Sequence, residues 1–278
     1  MASNSLTATL ALVRDTFREA FARKIFWGFF GCSTAVILFF IFLMRIDVVE
    51  GALATVSLFG NQTGAQDVAA LVRGVHGALA AFLYGFGLFL AVFASAGLIP
   101  TIFEPGRIEL LLSKPVSRHH ILLGRYLGNL AVISFNMLYL VLSVWLILGV
   151  KTGIWTYQFL YSSLFSIFVF AVLLTIVLLV AVLSESAVLA TMVTFGVMIA
   201  ASILAQTSAL DRVLTSEWSR NVMRGMYYAL PKVWDLGNIG RRLVIGAEIE
   251  SWMPVWSSAL FGAVILATGL TIFARRNY

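Results

Sequence analysis

Residues able to do chemistry on their own are sparse in this chain. Its three histidines, His76, His119 and His120, are too few and too scattered for a zinc site. No H-E-x-x-H pattern occurs, and the adjacent pair His119-His120 cannot face one metal from a helix. They read as polar surface side chains near headgroups. No G-x-S-x-G elbow supports a serine hydrolase. Gly149-Val150-Lys151-Thr152 lacks the spacing and the adjacent Gly-Lys that cradle phosphates in a nucleotide-binding loop. The expectation is a chain with no catalytic residues, no metal and no bound cofactor. Cys32, the single cysteine, excludes an internal disulfide and reads as a small packing residue.

The remaining candidates are polar side chains set inside long apolar runs: Asn136, Tyr139 and Ser143, then Ser163, Ser166 and Thr175, then Thr191 and Thr194. Such groups either line a path for a solute or hydrogen-bond between helices, each bond contributing roughly 1 kcal/mol or less. Asn136 carries the most polar of these groups. The candidate translocation path is Asn136, Tyr139, Ser143, Ser166 and Thr194.

What must position these residues is a set of helices in lipid. Of 278 residues, 60% are hydrophobic and 12% charged, about half the charge of a soluble domain. A span needs roughly 20 apolar residues to cross about 30 Å of hydrocarbon. Runs at 26–44, 77–99, 127–149, 158–183, 187–207 and 255–273 meet that need and contain no Asp, Glu, Lys, Arg or His. Uninterrupted runs favour helices over barrel strands, which alternate over about ten residues. The expected fold is therefore all-α, a single polytopic domain over 1–278 with six transmembrane helices.

Ahead of the first run, Leu6, Leu10, Val13, Phe17 and Phe21 recur at helical spacing, flanked by Arg14, Arg18, Arg23 and Lys24. This predicts a cytoplasmic interfacial helix over 1–25. Charges through 1–22 break any apolar signal-peptide core, so the first span is expected to direct its own insertion. Six spans with both termini cytoplasmic place Arg107, Lys114, Arg118, Arg125, Arg275 and Arg276 inside with the N-terminal basic residues. Only Arg45, Arg73 and Lys151 then fall in short outer loops, as the positive-inside rule requires. The net charge of +6 is explained by this orientation and by anionic membrane lipid, with no nucleic-acid partner.

Two connections are not ordinary loops. The segment 208–254 is too polar to span, yet Leu210, Val213, Leu214, Val222 and Met226 keep helical spacing, and Trp218, Tyr227, Tyr228, Trp234, Trp252 and Trp256 populate it or its edges. It is expected at the outer interface, either as a lid or re-entrant hairpin or as a passive connector. Small residues at Gly87, Ala91 and Ser95 in span two, and Gly196 and Ala200 in span five, permit close helix approach. Asn61-Gln62-Thr63 matches the short glycosylation pattern by chance.

The other connection, 100–126, joins spans two and three. Arg107 to Ser113 can form a short amphipathic helix that Pro115 ends by disfavouring helix at Lys114, and Ser117 can cap the next helix. Physics leaves two readings of that helix: flat on headgroups, or engaged with a cytoplasmic partner. Glu104, Gly106, Leu110 to Leu112, Ser113-Lys114-Pro115, Arg118 and Leu122-Leu123-Gly124 resemble the corresponding stretch of ABC-2-type transporter permeases. The basic opening helix, the six spans and the ending Phe273 with Arg275-Arg276 are similar to that family in weaker form. His119-His120 departs from the pattern.

The resemblance implies a permease with no ATPase of its own, working as a homodimer or with a related permease. Two cytoplasmic ATP-binding cassette subunits, holding ATP and Mg, would dock on the connection between spans two and three. The implied docking residues are Glu104, Gly106, Arg107, Glu109, Leu110, Leu111, Leu112, Lys114, Pro115 and Arg118. The implied activity is export across the cell (inner) membrane, with a lipophilic or amphipathic substrate suggested by the charge-free spans. A gradient-driven secondary transporter is the competing class. It would place ionisable residues at membrane depth and interrupt its helices, whereas Pro100 and Pro254 lie at span edges.

Overall fold

In the computed structural model the described residues are 2–22, 24–49, 53–58, 61–62, 66–103, 117–206 and 216–276. Helix α1 (Ala2–Ala22) turns by 73° into the first span, α2 (Lys24–Leu38), which ends in a π-helical turn, Phe39–Leu43. The second span begins at Val68, not at 77. Helix α3 (Val68–Phe82), a π turn (Leu83–Gly87) and α4 (Leu88–Ala96) follow one another within it. Asp67 sets that start by accepting a hydrogen bond from the Ala69 amide at 3.2 Å, an ordinary carboxylate cap. Spans three to six are α5 (Arg118–Thr152), α6 (Gln158–Ser184), α7 (Ala187–Leu204) and α10 (Met253–Arg275). Among the described residues five helices are long and apolar enough to cross a membrane, and six spans result when the bent pair at the N-terminus supplies one.

The helix ends follow local chemistry. Gly153 closes α5 at φ 72° and Gly246 closes α9 (Val233–Ile245) at φ 73°, the left-handed conformation that glycine adopts without strain. Glu185 closes α6 at φ 53° without being glycine, and Ser186 caps α7 by accepting from the Leu189 amide. Pro254 sits in the first turn of α10, where its missing N–H costs nothing.

The core lies around α6, whose apolar residues are buried on nearly every side: Phe170, Leu173, Leu174, Val177 and Leu178 are all fully enclosed. Spans three, two and six pack on it, as do α7 and α9. At the end of the bundle away from the chain termini, β1 (Met44–Val49) and β2 (Leu53–Leu58) form an antiparallel hairpin, with short strands at Asn61–Gln62 and Gln66–Asp67. The fold class stays all-α, with this small sheet as an addition to the expectation. Its register pairs Ile46 with Val56 and Asp47 with Thr55, a period-two alternation that span-length hydropathy windows average away.

Small residues behave differently in spans two and five. Ala91 and Ser95 are completely buried. Gly196 is exposed, and a Cβ added there would have no heavy atom within 4 Å, so no close approach is made at this position within the described chain.

Candidate functional site

At the end of the bundle that carries both termini, α1 lies directly on α5. Gly124 and Gly128, one helical turn apart, make the approach possible. A Cβ at Gly124 would stand 2.7 Å from Leu12 Cβ, and one at Gly128 would stand 2.6 Å from Thr16 Cβ. Between these glycines Arg125 is 1% exposed. Its guanidinium donates to Glu19 Oε2 and, at 3.3 Å, to Asp15 Oδ2 on α1. Thr101, just after span two, donates to Glu19 Oε1 at 2.9 Å. Asn129 holds the end of that span by donating to the Ser95 carbonyl at 3.0 Å.

The start of α5 is tied to the C-terminus. The Arg118 guanidinium donates to the Arg276 carbonyl, and Arg276 donates to the Val182 carbonyl and pairs with Glu185 at 2.9 Å. Ser117 stands at the cap position as expected, but its hydroxyl bonds the His120 ring instead of a helix amide. The connection between spans two and three is thus braced at both ends, at Thr101 by α1 and at Arg118 by the C-terminal arginine. Glu104, Gly106, Arg107, Glu109, Leu110, Leu111, Leu112, Lys114 and Pro115 lie outside the described residues, as does the helix expected over Arg107–Ser113.

The polar residues proposed for a path do not converge on one chamber. Asn136 is fully buried and accepts from Ser33 of span one at 2.7 Å. Tyr139 stacks on Phe30 with ring centroids 4.7 Å apart and meets Thr34 at 3.4 Å. These two residues fasten span three to span one. Ser143 is half-buried. Thr194, like Ser163, Thr175 and Thr191, returns its hydroxyl to a carbonyl of its own helix. Ser166 does the same with Ser162 and also borders a cavity of ≈ 360 Å³ between spans two and four and α9.

That cavity exists because α9 is inserted into the bundle. Val233, Leu236, Ile239 and Val244 are buried on one stripe of this helix, and the Tyr84 hydroxyl donates to the Val233 carbonyl. Gly237 admits the Tyr84 ring, since a Cβ there would lie 2.6 Å from Tyr84 Cε1. Ser166 is eight residues into span four, roughly 12 Å along its axis at about 1.5 Å per residue. Helix α9, within the 208–254 segment, thus packs its buried stripe against spans two and four. Helix α8 (Glu217–Ala229), which carries Val222 and Met226, has no buried residue.

The hairpin between α8 and α9 turns on Lys232, which is 2% exposed. Its ammonium donates to the Tyr227 carbonyl and lies 3.6 Å from the Tyr227 ring centre, while its amide donates to Ser258 at 2.9 Å. Burial lowers the Lys232 pKa, partly offset by the carboxylate of Asp235. Tyr227 donates to that carboxylate at 2.7 Å, and burial followed by Asp235 raises the phenol pKa.

Three ionisable groups are buried where composition gives no sign of it. Arg125, counted with the cations of the cytoplasmic face, is enclosed, and so is Lys232 of the polar segment 208–254. His76, read as a surface histidine, is 1% exposed within span two, stacked on Phe159 at 4.2 Å and bonded to Thr156 at 2.7 Å. Its neighbours explain why: Val72, one turn before it, and Leu79, one turn after, share the buried face of the helix. The two glycines flanking Arg125 signal a closely packed stretch of helix; for Lys232 no local signal distinguishes it from the surrounding arginines.

Among the described residues no group of histidines, cysteines and carboxylates is placed to hold a metal. No individual curated protein matches the sequence. The family model described as ABC-2 family transporter protein matches residues 10–277. Taken with a helical bundle of up to six apolar spans, this match establishes that the chain belongs to the ABC-2 family of membrane permeases.

Proposed function

We propose that the protein is the permease subunit of an ATP-binding cassette exporter, driven by separate cytoplasmic subunits that bind and hydrolyse ATP with Mg. The observation that carries this reading is the bracing of the connection between spans two and three. A segment that receives force from a docked partner has to pass it to the bundle, and both ends of this one are fastened to other parts of the chain. Docking is assigned to Glu104–Arg118. Movement of that segment would pull on α1 through Glu19 and Arg125 and on the C-terminus through Arg118, rocking the spans between inward-open and outward-open packings.

The remaining assignments follow from the same reading. Both termini are cytoplasmic, α1 lies along the inner headgroups, and the hairpin of α8 and α9 faces the outside. The permease functions as a dimer, with itself or a related chain, in the cell membrane. Gradient-driven transport is the second reading, and buried His76 favours it, because titratable groups at membrane depth often carry coupling protons.

The test is purification of a tagged copy from its native membrane beside a variant carrying Glu104→Lys and Arg107→Glu. The expected outcome is a Walker-motif ATPase in stoichiometric amount with the native protein and its loss from a variant that remains folded. Absence of any ATPase under conditions that preserve related complexes would overturn the reading in favour of gradient-driven transport.

A further inference from the structure

The ≈ 360 Å³ cavity between span two, span four and α9 is not used by the braces or by the hydrogen bonds between spans. Its volume is in the range of small-molecule sites. Ala80, Ala81 and Gly85 form its span-two wall, Ser162 and Ser166 its span-four wall, and Gly237 and Gly240 the face of α9. A Cβ at Gly85 would have no heavy atom within 4 Å, so the space beside it is open. Gly85 lies in the π turn Leu83–Gly87. Such a turn inserts one residue into the helix, redirects the side chains around it and is often found at functional sites.

The wall is apolar apart from a few hydroxyl and amide groups, and its one charge is at the rim. Arg241 is exposed there and, among the described residues, makes no hydrogen bond or ion pair. The next residue, Arg242, is engaged with Glu250 at 2.7 Å and with the Glu248 carbonyl. Ala81 and Gly85 are themselves exposed, so the cavity opens sideways from the bundle. Trp234, 46% exposed, stands beside it as an amphipathic ring suited to a headgroup zone.

We infer that this cavity binds an anionic amphiphile, its single alkyl chain lying against Ala81 and Gly85 and its headgroup paired with Arg241. An apolar slot without an internal charge offers a hydrophilic ion no compensation for lost hydration. An unengaged guanidinium at the rim selects an anionic head, to which it can donate two parallel hydrogen bonds. The occupant enters from the surrounding lipid. The inference is independent of which subunit supplies energy, because binding is measured on the permease alone and the ATPase by copurification.

The experiment is native mass spectrometry of the full chain in mild detergent with palmitoyl-lysophosphatidylglycerol or palmitoyl-lysophosphatidylcholine, for the native protein, Gly85→Leu and Arg241→Gln. The native protein is expected to retain the anionic probe over the zwitterionic one by about tenfold, the scale of one charge-assisted contact. Gly85→Leu, whose Cβ would meet no heavy atom within 4 Å and whose longer side chain takes up the space beside it, is expected to lose both probes. Arg241→Gln, at an exposed site that leaves folding intact, is expected to bind both equally. Equal retention by the native protein, unchanged binding in Gly85→Leu, or displacement of the probe by glycerol phosphate at equal concentration would each overturn the proposal. Disulfide formation between two Gly85→Cys copies in the membrane would also overturn it, since a second copy would then cover the opening.

Discussion

Arg125 is the group whose removal from water has the clearest energetic consequence. Its side chain is 1% exposed, and its partners are Glu19, 14% exposed, and Asp15, 54% exposed at 3.3 Å. Breaking a buried pair from one side costs about 3–5 kcal/mol, because it leaves the other charge without compensation. Glu19→Ala falls near the lower limit, since Asp15 remains in reach of the guanidinium. In a chain of this size 1 kcal/mol moves the thermal midpoint by roughly 2–4 °C, so a loss near 3 kcal/mol gives a drop of roughly 6–12 °C. Asp15→Asn, which alters a solvent-screened contact, costs about 1 kcal/mol or less. The paired change Glu19→Met with Arg125→Met replaces ions by apolar side chains of similar length and is expected to recover most of the loss. The assay is thermal unfolding of the purified permease in one detergent, followed by fluorescence, with limited proteolysis of α1 as a local readout. A midpoint for Glu19→Ala within about 1 °C of the native protein, well short of the shift that a broken buried pair implies, or no recovery in the paired change, would refute the argument that Arg125 depends on Glu19.

Gly128→Ala places a Cβ 2.6 Å from Thr16; the overpacking costs about 1–3 kcal/mol, and faster proteolysis within α1 checks that the helix has been pushed off α5. Asn136→Ala and Ser33→Ala form a double-mutant cycle across the 2.7 Å bond between spans three and one, with an expected coupling of about 0.6–1.7 kcal/mol in the thermal midpoints; zero coupling would remove the stapling role. Lys232 has its pKa lowered by burial from the ordinary 10.5, so between the folded and unfolded values the unfolded chain holds more protons and stability rises with pH. Across that window the thermal midpoint should therefore rise more steeply with pH in the native protein than in Lys232→Met. An equal slope in both would show that Lys232 is not the titrating group.

The spans were legible because crossing hydrocarbon is a requirement on length and composition, both of which a sequence displays directly. Residues 158–183 carry no charge, and the helix found there runs from Gln158 to Ser184. Helix α9 was less legible for the same reason in reverse. Its buried residues Val233, Leu236, Ile239 and Val244 are interleaved with Asp235, Asn238, Arg241 and Arg242, so a composition window reports a polar connector while the helical spacing reports a buried stripe. The ion pair of Arg125 had no local signature, because its partner Glu19 lies 106 positions away in sequence.

The buried cations share a physical logic that also explains why composition hid them. A charge enclosed in a membrane protein is tolerated only where fixed groups replace its hydration. Arg125 finds two carboxylates on α1, and Lys232 finds a carbonyl and an aromatic face at the turn between α8 and α9. Each arrangement ties a span or its extension to an element outside the six apolar runs, one at either end of the bundle. Apolar contacts between spans permit sliding with small cost, whereas a buried ion pair has one geometry in which both charges are satisfied. Rigid attachment is what a braced connection between spans two and three requires at one end, and what an inserted α9 requires at the other. At these two positions the charges are therefore fastenings, one holding α1 to span three and the other holding the turn between α8 and α9 against the bundle.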